Sequence, residues 1–269
     1  GRGMLDIYNE GNGDVYGLYG DKNVHTVYAD SITEYLNSQG IIQITNTGSG
    51  NSYALFGNNA HLVSNETLIA KGAKMPYANN AIYMTNLGPG TAVGMYNDGE
   101  AIYNSGIITI NNFGTGNAIG ILSAGVDTNV LNSGTITLNN TSDANLAIGI
   151  YAKGGNVVNT GSIIINGTED AFGIYAEEGA TVYNTGSIQI GDYVYKGNGA
   201  LENFIYLNGS SLINAGKLSA GASSLDFASF STDGTGKVVA LPGANFASEK
   251  SIENDLYLSN DFVTDNFDT

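Results

Sequence analysis

The chain has no cysteine and no tryptophan, and only three prolines among its 269 residues. Without cysteine there is neither a disulfide framework nor a thiolate-ligated metal site, which suits a protein that crosses a periplasm unfolded. Cations are scarce as well: nine Lys+Arg face 25 Asp+Glu, the formal net charge is -16, and Arg2 is the single arginine. Such a chain cannot screen phosphates, which argues against nucleic acid or an anionic bilayer as partner. No apolar run approaches the roughly 20 residues of a spanning helix, so no direct membrane insertion of this chain is expected. The opening Gly1-Arg2-Gly3-Met4 carries no signal-peptide apolar region, so if the protein is secreted, the export signal and any anchor are expected outside this sequence.

What is present in quantity is glycine, 38 residues of it, together with Asn, Ser, Thr, Ile, Val and 17 tyrosines, while 42% of residues are hydrophobic and only 13% charged. Turn formers mixed with β-branched and aromatic residues describe many short strands joined by tight turns. The hydrophobic fraction suffices for a core.

That core is repetitive. Asn-(Ser/Thr/Ala)-Gly-x-(Ile/Leu) recurs with its asparagine at Asn104, Asn132, Asn159, Asn184 and Asn214, and degenerate copies stand at Asn37 and Asn65. The step between Asn65 and Asn104 is 39 residues, whereas the next steps are 28, 27, 25 and 30. A second motif keeps the same phase as Ala92-Val93-Gly94-Met95-Tyr96, Ala118-Ile119-Gly120-Ile121-Leu122, Ala147-Ile148-Gly149-Ile150-Tyr151 and Ala171-Phe172-Gly173-Ile174-Tyr175. A third segment, such as Thr181-Val182-Tyr183, leads into each asparagine. Three one-sided strands cannot fold alone, but coils stacked about 4.8 Å apart bury one continuous core. The reading is an all-β, right-handed parallel β-helix of about seven to eight three-stranded coils. Its hand rests on the chirality of parallel crossovers. Coils are expected over residues 1–220, with irregular final coils or a cap over 221–269 leading toward a C-terminal segment absent from this sequence.

Strict alternation points Ile108 and Ile110, Ile136 and Leu138, and Ile163 and Ile165 inward. In the Ala-x-Gly strand it points Val93 with Met95, Ile119 with Ile121, Ile148 with Ile150 and Phe172 with Ile174 inward, leaving Ala, Gly and Tyr outside. The asparagines share the inward face. A lone buried amide is costly, but stacked amides can bond along the rod and cap each turn, so Asn37, Asn65, Asn104, Asn132, Asn159, Asn184 and Asn214 read as a structural ladder.

Candidate binding residues lie outside the core. The aromatic stripe Tyr96, Tyr151 and Tyr175, continued by Tyr19, Phe56 and Leu122, offers rings that stack on sugars or anchor a protein partner. The long step from Asn65 to Asn104 places extra residues around 70–80, where Lys71, Lys74 and Tyr77 form a second candidate surface. Catalytic groups do not assemble from sequence: the lysines are scattered, and Glu169–Asp170 and Glu177–Glu178 are adjacent in sequence, so each pair faces opposite ways on a strand. His25 and His61 lack a third ligand. No catalytic residue, metal or cofactor is assigned.

The set Asn-(Thr/Ser)-Gly-x-Ile, Ala-x-Gly-Ile-Tyr and Gly179-Ala180-Thr181-Val182-Tyr183-Asn184 resembles the passenger regions of large classical autotransporter adhesins of the fusobacterial kind, over about residues 14–220. The resemblance implies a monomeric rod at the cell surface, anchored in the outer membrane through a segment not in this chain. It implies attachment to a host or bacterial surface glycan or protein. A purely structural stalk and a carbohydrate-active enzyme of β-helix type are the alternatives.

Overall fold

The computed structural model describes residues 4–20, 26–28, 41–58, 61–64, 81–99, 101–141, 145–167, 171–191, 202–207, 211–214, 217–220, 230–232, 238–240 and 256–257. Among them there is no helix. Every strand belongs to one of three parallel sheets, two of eight strands and one of nine, and successive strands visit the sheets in rotation as far as Val238–Ala240, after which Leu256–Tyr257 joins the third sheet again. Each strand pairs with its equivalent one coil earlier and one coil later, which is the connectivity of a parallel β-helix. The first sheet runs from Met4–Asn9 through Ile41–Asn46, Ala81–Asn86 and Ile107–Asn112 to Lys217–Ala220. The second runs from Val15–Gly20 through Ala92–Asn97 and Ala147–Lys153 to Phe230–Thr232, and the third from Thr26–Tyr28 through Ala101–Asn104 to Leu256–Tyr257.

In the first and third sheets the inward side chains alternate as period two demands. Ile108, Ile110, Ile136, Leu138, Ile163 and Ile165 are fully buried in one cluster with Ile102, Val130, Val157 and Val182.

The second sheet departs from strict alternation, and the departure corrects the expected facing of its motif. Tyr16 and Tyr19 meet edge to face at 5.6 Å, as do Phe172 and Tyr175 at 5.3 Å, so residues three apart share one side of the strand. Residue pairing is continuous on either side of the central residue but skips it: Ile119 faces Ile148 and Ile121 faces Ile150, with no Gly120–Gly149 pair. One interruption at the glycine reverses the alternation. The alanines Ala92, Ala118, Ala147 and Ala171 therefore join the core cluster with Met95, Ile121, Ile150 and Ile174, while Val93, Ile148 and Phe172, themselves buried, and the half-buried Ile119 stand outside that cluster. Glycine occupies the break in Val15–Gly20, Ala92–Asn97, Ala118–Ser123, Ala147–Lys153 and Ala171–Glu177, whereas Ser52–Gly57 places the buried Ala54 there. A Cβ on Gly120 would stand 2.5 Å from the Ile136 methyl and 2.6 Å from the carbonyl of Gly149.

Register also relocates the extra residues. In regular coils two residues, such as Ser105-Gly106, link the third sheet to the first. Residues 29–40 and 65–80 occupy that same link in the first two coils, between Tyr28 and Ile41 and between Ser64 and Ala81. Two insertions thus leave one corner of adjacent coils, where the sequence spacing suggested one. Ser64 is the residue opposite Asn104, so the column position in that coil is Ser64 and not Asn65. Asn37, Asn65, Lys71, Lys74 and Tyr77 lie outside the described residues.

Candidate functional site: the outer face of the second sheet

Because the glycine interruption turns two residues per strand outward on the same side, the second sheet carries two columns along its outer face. One column is Tyr16, Tyr53, Val93, Ile119, Ile148 and Phe172, and the other is Tyr19, Phe56, Tyr96, Leu122, Tyr151 and Tyr175. Six coils at about 4.8 Å make this strip roughly 24 Å long. Tyr16 and Tyr19 are 38% and 53% exposed and the second column is half-buried below them, but in the first column only Tyr53 and Ile119 are half-buried, and Val93, Ile148 and Phe172 are covered.

The rings fall into two clusters joined by aliphatic side chains. At the N-terminal end Tyr19, Phe56 and Tyr96 stack in file, with centroids 5.2 and 4.5 Å apart and planes within 7° and 11° of parallel. Tyr16 stacks on Tyr53 at 5.2 Å, and each meets Phe56 edge to face. Farther along, Tyr151 stacks on Tyr175 at 5.3 Å with planes 13° apart. Ring faces inside these files are covered by neighbouring rings, so a partner meets mainly ring edges and phenol groups. Stacking a sugar on a free ring face, the chemistry first suggested by the stripe, has little room here.

Acidic side chains border the strip. Burial first, then the Asp14 carboxylate, push the Tyr16 and Tyr53 phenols above their ordinary value, and burial with Asp98 does the same to Tyr96. Tyr151 donates its hydroxyl hydrogen bond to Glu177, and burial and that bond hold its phenol well above the usual range. Glu178, at φ 55°, pairs with Lys153 at 3.2 Å. The adjacent carboxylates Glu177 and Glu178 are thereby committed to different partners. Among the described residues no three His, Cys, Asp or Glu side chains converge as metal ligands would. His61 faces Thr26 and Ala101 across the third sheet, and His25 lies outside the described residues.

The asparagines do structural work at two corners. Asn104, Asn132 and Asn159 donate from Nδ2 to the Oδ1 of the next asparagine at 2.7, 2.8 and 2.8 Å, the last of these bonds reaching Asn184. Asn214 pairs with Asn184 by backbone register. A second ladder, not singled out from sequence, joins Asn9, Asn46, Asn86, Asn112 and Asn140 at 2.9, 3.2, 2.8 and 2.6 Å. Its signal was legible: Asn-x-Gly-x-Gly recurs at Asn9, Asn46, Asn86 and Asn112. Each of these amides also caps its turn by donating to the carbonyl of the second glycine, as Asn86 does to Gly90 at 2.8 Å. Sequence reasoning also passed over the outer column of the third sheet, where Tyr103, Leu131, Val158 and Tyr183 are aligned and half-buried.

Searches with known protein-family profiles, with curated proteins and with solved structures find no match to this chain.

Proposed function

We propose that this chain is a non-catalytic segment of a cell-surface adhesin, anchored in the outer membrane by a segment outside this sequence, and that it attaches through the outer face of the second sheet. The observation that carries this reading is the partly exposed column Tyr19, Phe56, Tyr96, Leu122, Tyr151 and Tyr175 that runs along the second sheet, joined at its N-terminal end by Tyr16 and Tyr53. An apolar strip held on a rigid backbone is already organised for contact, so little conformational entropy opposes association. Because ring edges and phenol groups dominate the strip, the partner is a protein surface on a host cell or on another bacterium, with a surface glycan the weaker fit.

A purely structural stalk has one observation in its favour, since rings stacked on one another stabilise neighbouring coils without any ligand. Attachment of the purified chain to host cells and to bacteria separates the two. Replacing Tyr96, Tyr151 and Tyr175 together by serine is expected to weaken attachment at least tenfold, about 1.4 kcal/mol, while the β-rich circular dichroism persists. A folded triple variant that attaches like the parent leaves the stalk. Deleting residues 70–80 tests the surface of Lys71, Lys74 and Tyr77 in the same assay. Turnover on a panel of polysaccharides would replace both readings with an enzyme.

A further inference from the structure

We infer that the outer face of the second sheet is a site of oxidative tyrosine cross-linking, in which Tyr16 couples to Tyr53 and Tyr151 couples to Tyr175 to join neighbouring coils through dityrosine bonds. This holds whether or not the strip also binds a partner. Both pairs are direct neighbours in register on adjacent strands. Their rings lie nearly parallel, 8° apart at 5.2 Å in the first pair and 13° apart at 5.3 Å in the second. Fixing two phenols side by side gives radical coupling the advantage of proximity over reaction between separate molecules. Disulfides are closed to a chain without cysteine, so phenol coupling is the covalent route its own side chains offer between coils.

The step balances with a peroxide as oxidant and a haem peroxidase as the one-electron carrier. Each phenol gives up one electron to the carrier and its hydroxyl proton, leaving two phenoxyl radicals. A carbon–carbon bond forms between the two ring positions ortho to oxygen. The two hydrogens on those carbons then move to the oxygens, restoring both phenols. Two tyrosines and one hydrogen peroxide become one dityrosine and two waters.

The pairs differ in how the proton leaves. Tyr16 is 38% exposed and releases it to water. Tyr151 already donates to the Glu177 carboxylate, which takes the proton as the electron leaves. Other tyrosines supply an internal control, because Tyr8 at 63% and Tyr83 at 40% are as exposed or more so. Tyr83 stands opposite Gln43 and Thr109 in the first sheet.

The experiment treats the full chain with hydrogen peroxide and horseradish peroxidase at several protein concentrations. Dityrosine emission is read, and cross-linked peptides are mapped by mass spectrometry. The expected result is a loss of two hydrogens per link, with links at Tyr16–Tyr53 and Tyr151–Tyr175 in monomeric protein and a yield independent of concentration. Tyr53→Phe keeps the stacked ring and is expected to abolish the first link alone, and Tyr175→Phe the second alone. Glu177→Gln is expected to slow the second link several-fold and leave the first unchanged. Links that form only between molecules, or that fall on Tyr8 and Tyr83 in proportion to exposure, overturn the inference. So does full dityrosine yield in a folded Tyr53→Phe, Tyr175→Phe double variant.

Discussion

Two corners of the rod are filled by asparagine and the third is not. Where the first sheet turns into the second, Asn9, Asn46, Asn86 and Asn112 each donate along the axis to the next asparagine and to a carbonyl of their own turn, and where the third turns into the first, Asn104, Asn132 and Asn159 each donate along the axis to the next. At the corner between the second and third sheets the equivalent column reads Gly20, Gly57, Asn97, Ser123 and Ala152, continued by Ala176. There the lone Asn97 bonds within its own turn, donating to the carbonyl of Ala101 at 3.1 Å and accepting from the Gly99 amide at 3.1 Å. The contrast teaches that a buried amide column is a collective device. Each member satisfies the next, so a gap exposes two neighbours at once.

Breaking a continuous column is therefore expected to have the largest effect. Asn132→Leu keeps the branched shape but leaves the Asn104 donor and the Asn159 acceptor unsatisfied in the core. Each orphaned group costs about 1–3 kcal/mol, so a loss of about 4 kcal/mol is expected in urea unfolding. A loss below about 1 kcal/mol would mean that water replaces the amide.

Next in size is a change that attacks the strand leading into the third corner. Gly120→Ala forces a Cβ between the Ile136 methyl and the Gly149 carbonyl, on backbone that cannot retreat. Overpacking of this kind costs about 1–3 kcal/mol, measurable as a lower unfolding midpoint. Ser123→Ala sharpens the comparison in the opposite direction. Ser123 Oγ is buried with no hydrogen-bond partner among the described residues, and the next two coils already carry alanine there. Removing the hydroxyl is expected to stabilise the rod by about 1 kcal/mol, read as a higher urea midpoint.

These residues also show how far the sequence could be read. A column that repeats its residue type in every coil announces itself, which is why the spacing of Asn104, Asn132, Asn159 and Asn184 sufficed to place one ladder. The phase was lost at Asn65 because a long insertion follows Ser64, and a one-residue slip is invisible without the pairing partner. Alternation read the first and third sheets well. It placed Val93, Ile148 and Phe172 at buried positions, as they are, but strict period two assumes an unbroken pleat and so missed the break at each central residue, usually glycine, that brings the alanines of Ala-x-Gly into the core as well. That glycine was the available signal, since an isolated glycine within a strand marks a bulge or a close backbone approach. The outward Tyr stripe was placed from sequence, but its partner column was not. The stacking that limits access to its ring faces depends on distances between coils, which no single repeat contains.

The smallest expected effect concerns the strand Ala147–Lys153, which carries Ala152 into the third corner, and it appears only in alkali. Burial and the bond to Glu177 raise the Tyr151 phenol above its usual value of 10.0, so the folded state favours the protonated form. In the unfolded chain the phenol ionises near its ordinary value of about 10. Above that pH the unfolded state binds fewer protons than the folded one, and stability falls as pH rises. The contribution is complete below about pH 10 and declines above it, toward the raised value in the folded rod. Tyr151→Phe removes this group while preserving the ring that stacks on Tyr175. Its urea midpoint is expected to fall less steeply than the parent's between about pH 9.5 and 11. Parallel slopes in that interval would show that the Glu177 bond does not hold the proton, and would also remove the reason for Tyr151 to couple faster than an ordinary surface phenol.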